Sequence, residues 1–88
     1  AGDNFEIIEI RTYENMLGQR SASVTVRNSI EQGSRLVTSS DFVGITADGK
    51  RIRAQSGTFT RVEPNETHKL MLDFRKQKYP IEEVEFYP

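Results

Sequence analysis

The sequence has no cysteine, no tryptophan and a single histidine, His68. Without cysteine there is no disulfide to staple a small fold and no thiolate metal centre. A zinc site needs three or four converging ligands, and His68 with Glu63 and Glu66 nearby supplies too few. A nucleophilic triad needs a base beside a serine or cysteine and a carboxylate behind it, and no nucleophile-elbow motif surrounds any serine here. Gly44, Gly49 and Gly57 lack phosphate-loop spacing, and Asp41 with Asp48-Gly49 does not make a calcium loop. Glu83 and Glu85 share a strand face near the chain's end, where they keep an edge soluble rather than flank a cleft. The expectation is therefore no catalytic residue, no metal and no cofactor.

Charge of one sign is also missing. The net charge is −1, so no global field draws nucleic acid or an anionic membrane. No apolar run approaches the roughly 20 residues of a membrane helix. No charged-then-apolar leader stands at the start, which reads Ala1-Gly2-Asp3. The lack of tryptophan counts against a polysaccharide-binding face.

What is present is the makings of a sheet. The 88 residues are expected to form one domain, 1–88, whose stability must come from sheet packing. Ordering such a chain costs on the order of 1.5 kcal/mol per residue, so its apolar residues must be well placed. The stretch 62–74 joins a turn, Glu63-Pro64-Asn65-Glu66, to a regular alternation. There His68, Leu70, Leu72 and Phe74 take one face, and Lys69, Met71, Asp73 and Arg75 the other. Residues 20–28 alternate as cleanly, with Ala22, Val24 and Val26 inward.

The first strand, 5–13, breaks its alternation at Ile7-Ile8, which predicts a β-bulge or a change of sheet. The segment 29–35 is a polar loop apart from Ile30, with Gly33 as its turn. Residues 36–47 are too long for one straight strand, and Thr38-Ser39-Ser40-Asp41 predicts a break ahead of a strand at 42–47. Asp48-Gly49 predicts a two-residue type I′ hairpin into a return strand at 50–55. Ser56-Gly57 ends that strand, 58–62 follows with Phe59 as its anchor, and the last strand is 81–87. About seven short strands with Gly and Pro punctuation, and no amphipathic helix, predict an all-β fold: an immunoglobulin-like antiparallel β-sandwich. The expected core is Ile8, Ile10, Val24, Val26, Phe42, Phe59, Leu70, Leu72, Phe74, Val84 and Phe86.

Several motifs bear on function. The basic clusters Lys50-Arg51-Arg53 and Arg75-Lys76-Lys78 would track a polyanion such as nucleic acid if they shared a face. As charge on solvated strand edges they would instead deter edge-to-edge pairing, and the acidic residues that offset them favour this. Asn65-Glu66-Thr67 matches a glycosylation sequon, whereas Asn65 read as a turn residue needs no glycan. His68, near a turn and in step with Leu70, is expected at the edge of the core.

Asn28, then Asp41-Phe42 with Ala47-Asp48-Gly49-Lys50, then Glu63-Pro64-Asn65-Glu66-Thr67 leading into Leu72-Asp73-Phe74, and a closing Val84-Glu85-Phe86, form a pattern. It resembles the telokin-like immunoglobulin-fold accessory domains of bacterial lipoproteins and surface proteins, where a "DF…ADGK" hairpin precedes a "PGE" turn and an "L-x-F" strand. The resemblance implies a sandwich fold and an extracytoplasmic accessory role; the family has no assigned activity, and it supplies no catalytic residue. Asn65 stands where glycine is usual after the proline, a position asparagine tolerates because it accepts positive φ.

The expected function is a non-enzymatic, extracytoplasmic module that binds another protein through an exposed sheet edge or the loops at one end. Tyr13, Arg51, Arg53, Met71 and Tyr87 are the candidate contact residues, being aromatic, Arg or Met at outward positions. Polyanion binding through 50–53 and 75–78, polysaccharide binding, and a structural spacer role are the alternatives.

Overall fold

The computed structural model describes residues 5–29, 33–55 and 57–88. Ala1-Gly2-Asp3, Ile30 in the expected polar loop and Ser56 in the expected break lie outside them. The protein is an antiparallel β-sandwich of the immunoglobulin-like kind, with eight strands in three small sheets among the described residues, where about seven strands were expected. The strands are β1 (Phe5–Glu14), β2 (Gln19–Asn28), β3 (Arg35–Thr38), β4 (Phe42–Thr46), β5 (Arg51–Arg53), β6 (Phe59–Val62), β7 (Thr67–Lys76) and β8 (Ile81–Phe86). The long sheet has the order β1-β2-β7, the second sheet β5-β4-β8, and β3 pairs with β6 as a two-stranded ribbon.

The two cleanest alternations form the heart of the core. Directly opposite residues of a ladder share a face. The pairs Ala22↔Leu72, Val24↔Leu70 and Val26↔His68 thus put one apolar stripe under the second sheet. That sheet answers with Phe42 and Val84, the ribbon with Val37 and Val62, and all are buried. Gly44 lies inward opposite Val84 and leaves room for the Phe74 ring. Asn28 is fully buried at the end of β2, where its Nδ2 donates to the Val62 carbonyl (2.9 Å) and its own carbonyl accepts from Asn65 N–H (2.6 Å).

The expected break after β3 is a 3₁₀ turn, Ser39–Asp41. The Asp41 carboxylate accepts from Thr38 N–H (3.0 Å), and Ser39 Oγ donates to the Gln55 carbonyl (2.7 Å). This turn carries the chain from the ribbon to the second sheet. Asn65 takes the left-handed region (φ 64°) in a turn closed by Glu66 N–H to Glu63 O (3.0 Å), as Pro64 ahead of it favours.

Three expected core residues are not in the core. The ladder of β1 and β2 slips between Ile7 and Glu9, so Ile8 is the inserted residue of a bulge and is 51% exposed. The bulge lets Phe5 and Ile7 reach inward, and Phe5 meets the Phe86 ring at 4.7 Å between centroids. Ile10 lies opposite Val24 and faces the same way, yet Val24 is fully buried and Ile10 is 39% exposed. On that rung the interior strand β2 is covered on both sides by neighbouring strands, whereas Ile10 stands on the edge strand β1. Phe59 is exposed because β6 has the other parity: Val62 and Thr60 turn in, whereas Phe59 and Arg61 turn out beside Leu36.

The hairpin after β4 also differs from expectation. Thr46 N–H bonds Lys50 O (2.9 Å), Gly49 N–H bonds Thr46 O (2.9 Å), and of Asp48-Gly49 only Gly49 has positive φ (88°). That is a three-residue loop ending in a left-handed glycine, not a two-residue type I′ turn.

Candidate interaction surfaces

The free edge of β1 is the first surface. β2 lies on one side of this strand, and among the described residues no strand lies on the other. The hairpin that follows β1 fixes which of its backbone groups face outward. Asn15 N–H donates to Gln19 O (3.2 Å), so that pair is hydrogen-bonded. Antiparallel pairs alternate, so Tyr13/Ser21, Arg11/Ser23 and Glu9/Thr25 also bond across the ladder. Ile10, Thr12 and Glu14 therefore turn their N–H and C=O groups to the open side.

Apolar side chains accompany this edge: Ile8, Ile10 and Tyr13 along the strand, then Met16 (103% exposed) and Leu17 (70%) at the hairpin tip. The tip is built by Asn15, whose Oδ1 accepts from Leu17 N–H (2.9 Å) and Gln19 N–H (3.0 Å), and by Gly18 at φ 79°. Its apolar tip is thus held in shape by polar bonds from below. Glu9 and Arg11 pair with each other along the strand (2.6 Å), both exposed. The Glu9 carboxylate raises the Arg11 pKa above its ordinary value, by hydrogen bond and then by charge.

Arg51, Arg53 and Tyr87 form the second surface. β5 pairs with β4 through Ile45↔Arg51 and Val43↔Arg53, and β8 lies beyond β4 with Glu85 opposite Val43. Both arginines lie over the Tyr87 ring, each with its Cζ 5.7 Å from the centroid, within cation–π range. Arg53 Nη1 donates to the Ser40 and Tyr87 carbonyls (2.7 and 2.8 Å), and Arg51 Nη2 to Glu85 Oε2 (3.1 Å). With Val43 these side chains line an open hollow of about 340 Å³. Sequence reasoning placed these three residues outward separately, and the fold brings them together.

Tyr13 and Met71 lie elsewhere, on the outer face of the long sheet. Ser21 sits between Tyr13 and Asp73, and Ser23 between Arg11 and Met71, so Tyr13 and Met71 occupy neighbouring rungs. Tyr13 also borders a hollow of about 300 Å³ with Asn15, Arg20 and Asp73. Arg20 there is tied to Glu14 by an ion pair. The candidate contact residues thus divide between two surfaces.

The basic clusters meet only at their ends. Lys50 and Lys78 line one hollow of about 220 Å³ together with Asp48 and Tyr79, whose ring lies 5.6 Å from Lys78 Nζ. Asp48 accepts a hydrogen bond from the Thr46 hydroxyl, which holds its carboxyl below the usual pKa. Arg51 and Arg53 occupy the other hollow, beside Glu85. Arg75 has positive φ (64°) where β7 slips against β2, and its N–H donates to Asp73 Oδ1 (2.8 Å). His68 sits at the core edge as expected, with Nε2 3.3 Å from Glu66 Oε1. Its strand flanks the long sheet, and the central strand is β2.

Sequence reasoning missed the β1 edge because it counted Ile8 and Ile10 as core. The Ile7-Ile8 break was the available signal, since a bulge commonly marks an edge strand. Among the described residues no group of three potential metal ligands occurs, and no helix is long and apolar enough to cross a membrane. No family model, no curated protein and no solved structure matches this chain, so its reading rests on its own residues and geometry.

Proposed function

We propose that the chain is a non-enzymatic protein-interaction module that engages its partner by strand addition along the free edge of β1. The observation that carries this reading is the exposed apolar run Ile8, Ile10, Tyr13, Met16 and Leu17 beside outward backbone donors and acceptors. An incoming strand would satisfy the outward groups of Ile10, Thr12 and Glu14, while its side chains cover Ile10 from water. Backbone pairing would supply affinity, and the exposed apolar residues selectivity. The motif resemblance to accessory domains of bacterial lipoproteins and surface proteins supports a place outside the cytoplasm.

Photo-crosslinking tests the reading. A crosslinking residue placed at Thr12 is expected to yield adducts with protein in envelope extracts, and one placed at Tyr87 few or none. Adducts from Tyr87 without adducts from Thr12 would move the interface to the arginine-flanked hollow and overturn the edge.

A further inference from the structure

We propose that the occupant of the β1 edge is a second copy of the same chain, paired antiparallel about a two-fold axis through Ile10. The proposal rests on the strand-addition reading and names its partner. Self-complementary charge along the edge is the ground for it.

In an antiparallel pairing of β1 with itself, only residues whose N–H and C=O face outward can form hydrogen-bonded pairs across the new ladder. These are Ile10, Thr12 and Glu14, as the hairpin bond from Asn15 to Gln19 requires. A two-fold axis through Ile10 pairs it with the partner's Ile10 in mutual hydrogen bonds. Glu9 then lies opposite the partner's Arg11, and Arg11 opposite the partner's Glu9.

These flanking rungs are non-hydrogen-bonded pairs, in which the Cα atoms stand about 4.5 Å apart and side chains approach closest. Each charge can trade its neighbour two residues along the strand for a partner directly across. Ile10, 39% exposed in the single chain, meets its own copy on the core side.

Neighbouring registers lack this match. An axis through Arg11 sets arginine against arginine, and an axis through Glu9 sets carboxylate against carboxylate; opposed like charges on a ladder are unfavourable. An axis through Thr12 satisfies the backbone but leaves Glu9 without an arginine across from it. The bulge at Ile8 ends regular pairing on one side, which limits the contact to a short ladder.

The product would be a continuous sheet in the order β7-β2-β1-β1-β2-β7. At the outer edge, Asp73 O of β7 already accepts from Gln55 N–H (2.9 Å). Two-fold pairing uses the free edge of β1 on both chains, so assembly stops at the dimer. So short a ladder buries less than the roughly 1,200 Å² at the low end of stable interfaces, which places dissociation in the micromolar range or weaker.

Sedimentation velocity with charge variants tests the proposal. The unmodified chain is expected to pass from monomer to dimer as concentration rises through the micromolar into the millimolar range. Arg11→Glu and Glu9→Arg are each expected to be monomeric under the same conditions, since each sets like charges across the axis. Mixed in equal amounts they are expected to restore dimer, because one chain then offers two carboxylates to the other's two guanidinium groups. Isotope-filtered NMR of the wild-type dimer should show a contact between Glu9 Hα and the partner's Arg11 Hα.

A wild-type chain that stays monomeric throughout overturns the proposal, as does an Arg11→Glu chain that dimerises like wild type or a mixture that does not associate. A monomeric wild type that still gives crosslinks from Thr12 to another protein would overturn the second copy and leave the edge intact as a binding site.

Discussion

Gly44→Ala is a sharp test of the packing. A β-carbon at Gly44 would lie 2.8 Å from Phe74 Cε1 and 2.9 Å from its Cζ, where ordinary contact begins at 3.4 Å. The ring must retreat by the difference, 3.4 − 2.8 = 0.6 Å, or the two sheets must part. Phe74 is fully buried, so the ring has no solvent side to move into. Overpacking of this kind costs about 1–3 kcal/mol. The reduced freedom of alanine in the unfolded chain returns roughly 0.4–1 kcal/mol where its backbone is unstrained. Taking the middle of each range, a cost of about 2 against a return of about 0.7 kcal/mol leaves a net loss of about 1.3 kcal/mol, or a fall in Tm of roughly 5–10 °C for a domain of this size. Phe74→Leu alone should also destabilise, by about 1–2 kcal/mol, through lost packing. In the double variant the shorter leucine vacates the space the new methyl needs. Urea unfolding of all four proteins should therefore show the double variant at least about 1 kcal/mol more stable than the sum of the single losses implies. Additivity within about 0.3 kcal/mol, or a Gly44→Ala chain as stable as wild type, would refute the proposed contact.

Three further outcomes are expected. Asn28→Ala should cost about 1–3 kcal/mol in denaturant unfolding, because the fully buried amide bonded to Val62 O is lost and that carbonyl keeps no side-chain donor from β2. The Glu66 carboxyl, which accepts from Glu63 N–H (3.0 Å) and then from His68, should titrate below the ordinary glutamate value in an NMR pH series. Its folded-state pKa is lowered, so its contribution to stability is present above the unfolded-state pKa and is lost as pH falls through the folded one; a midpoint at or above that of the other glutamates would count against this bond. Arg53→Ala should release the chain end from the 3₁₀ turn. The Tyr87 amide, bonded to Asp41 O (2.6 Å), should then exchange faster with solvent while amides in β2 keep their protection.

The strands whose alternation is strict, β2 and β7, were legible because side chains on a strand divide between faces with period two, and an apolar set on one parity can serve only one buried face. The break at Thr38–Asp41 was legible from its polar run, and the turn at Pro64-Asn65 from residue types that need no tertiary help. Arg51, Arg53 and Tyr87 were identified as outward residues by the same parity, but their convergence depends on β8 lying beside β4, a pairing between segments far apart in the chain.

Ile8, Ile10 and Phe59 mark where pattern alone fails. Hydrophobicity states that burial is favourable, not that another layer is available to provide it. Ile10 and Val24 face the same way on the same rung, and their places in the sheet, edge strand against interior strand, separate the exposed residue from the buried one. Phe59 lost to Val62 because a four-residue strand carries too few alternations to set its own parity, so the ribbon partner decided it. The sequence by itself determined an all-β chain, where its turns fall and its two principal core strands, since those follow from local backbone preference and period. The tertiary structure alone decided which strand is left at the edge and which apolar residues stay in water, because both depend on contacts between layers that no local pattern contains.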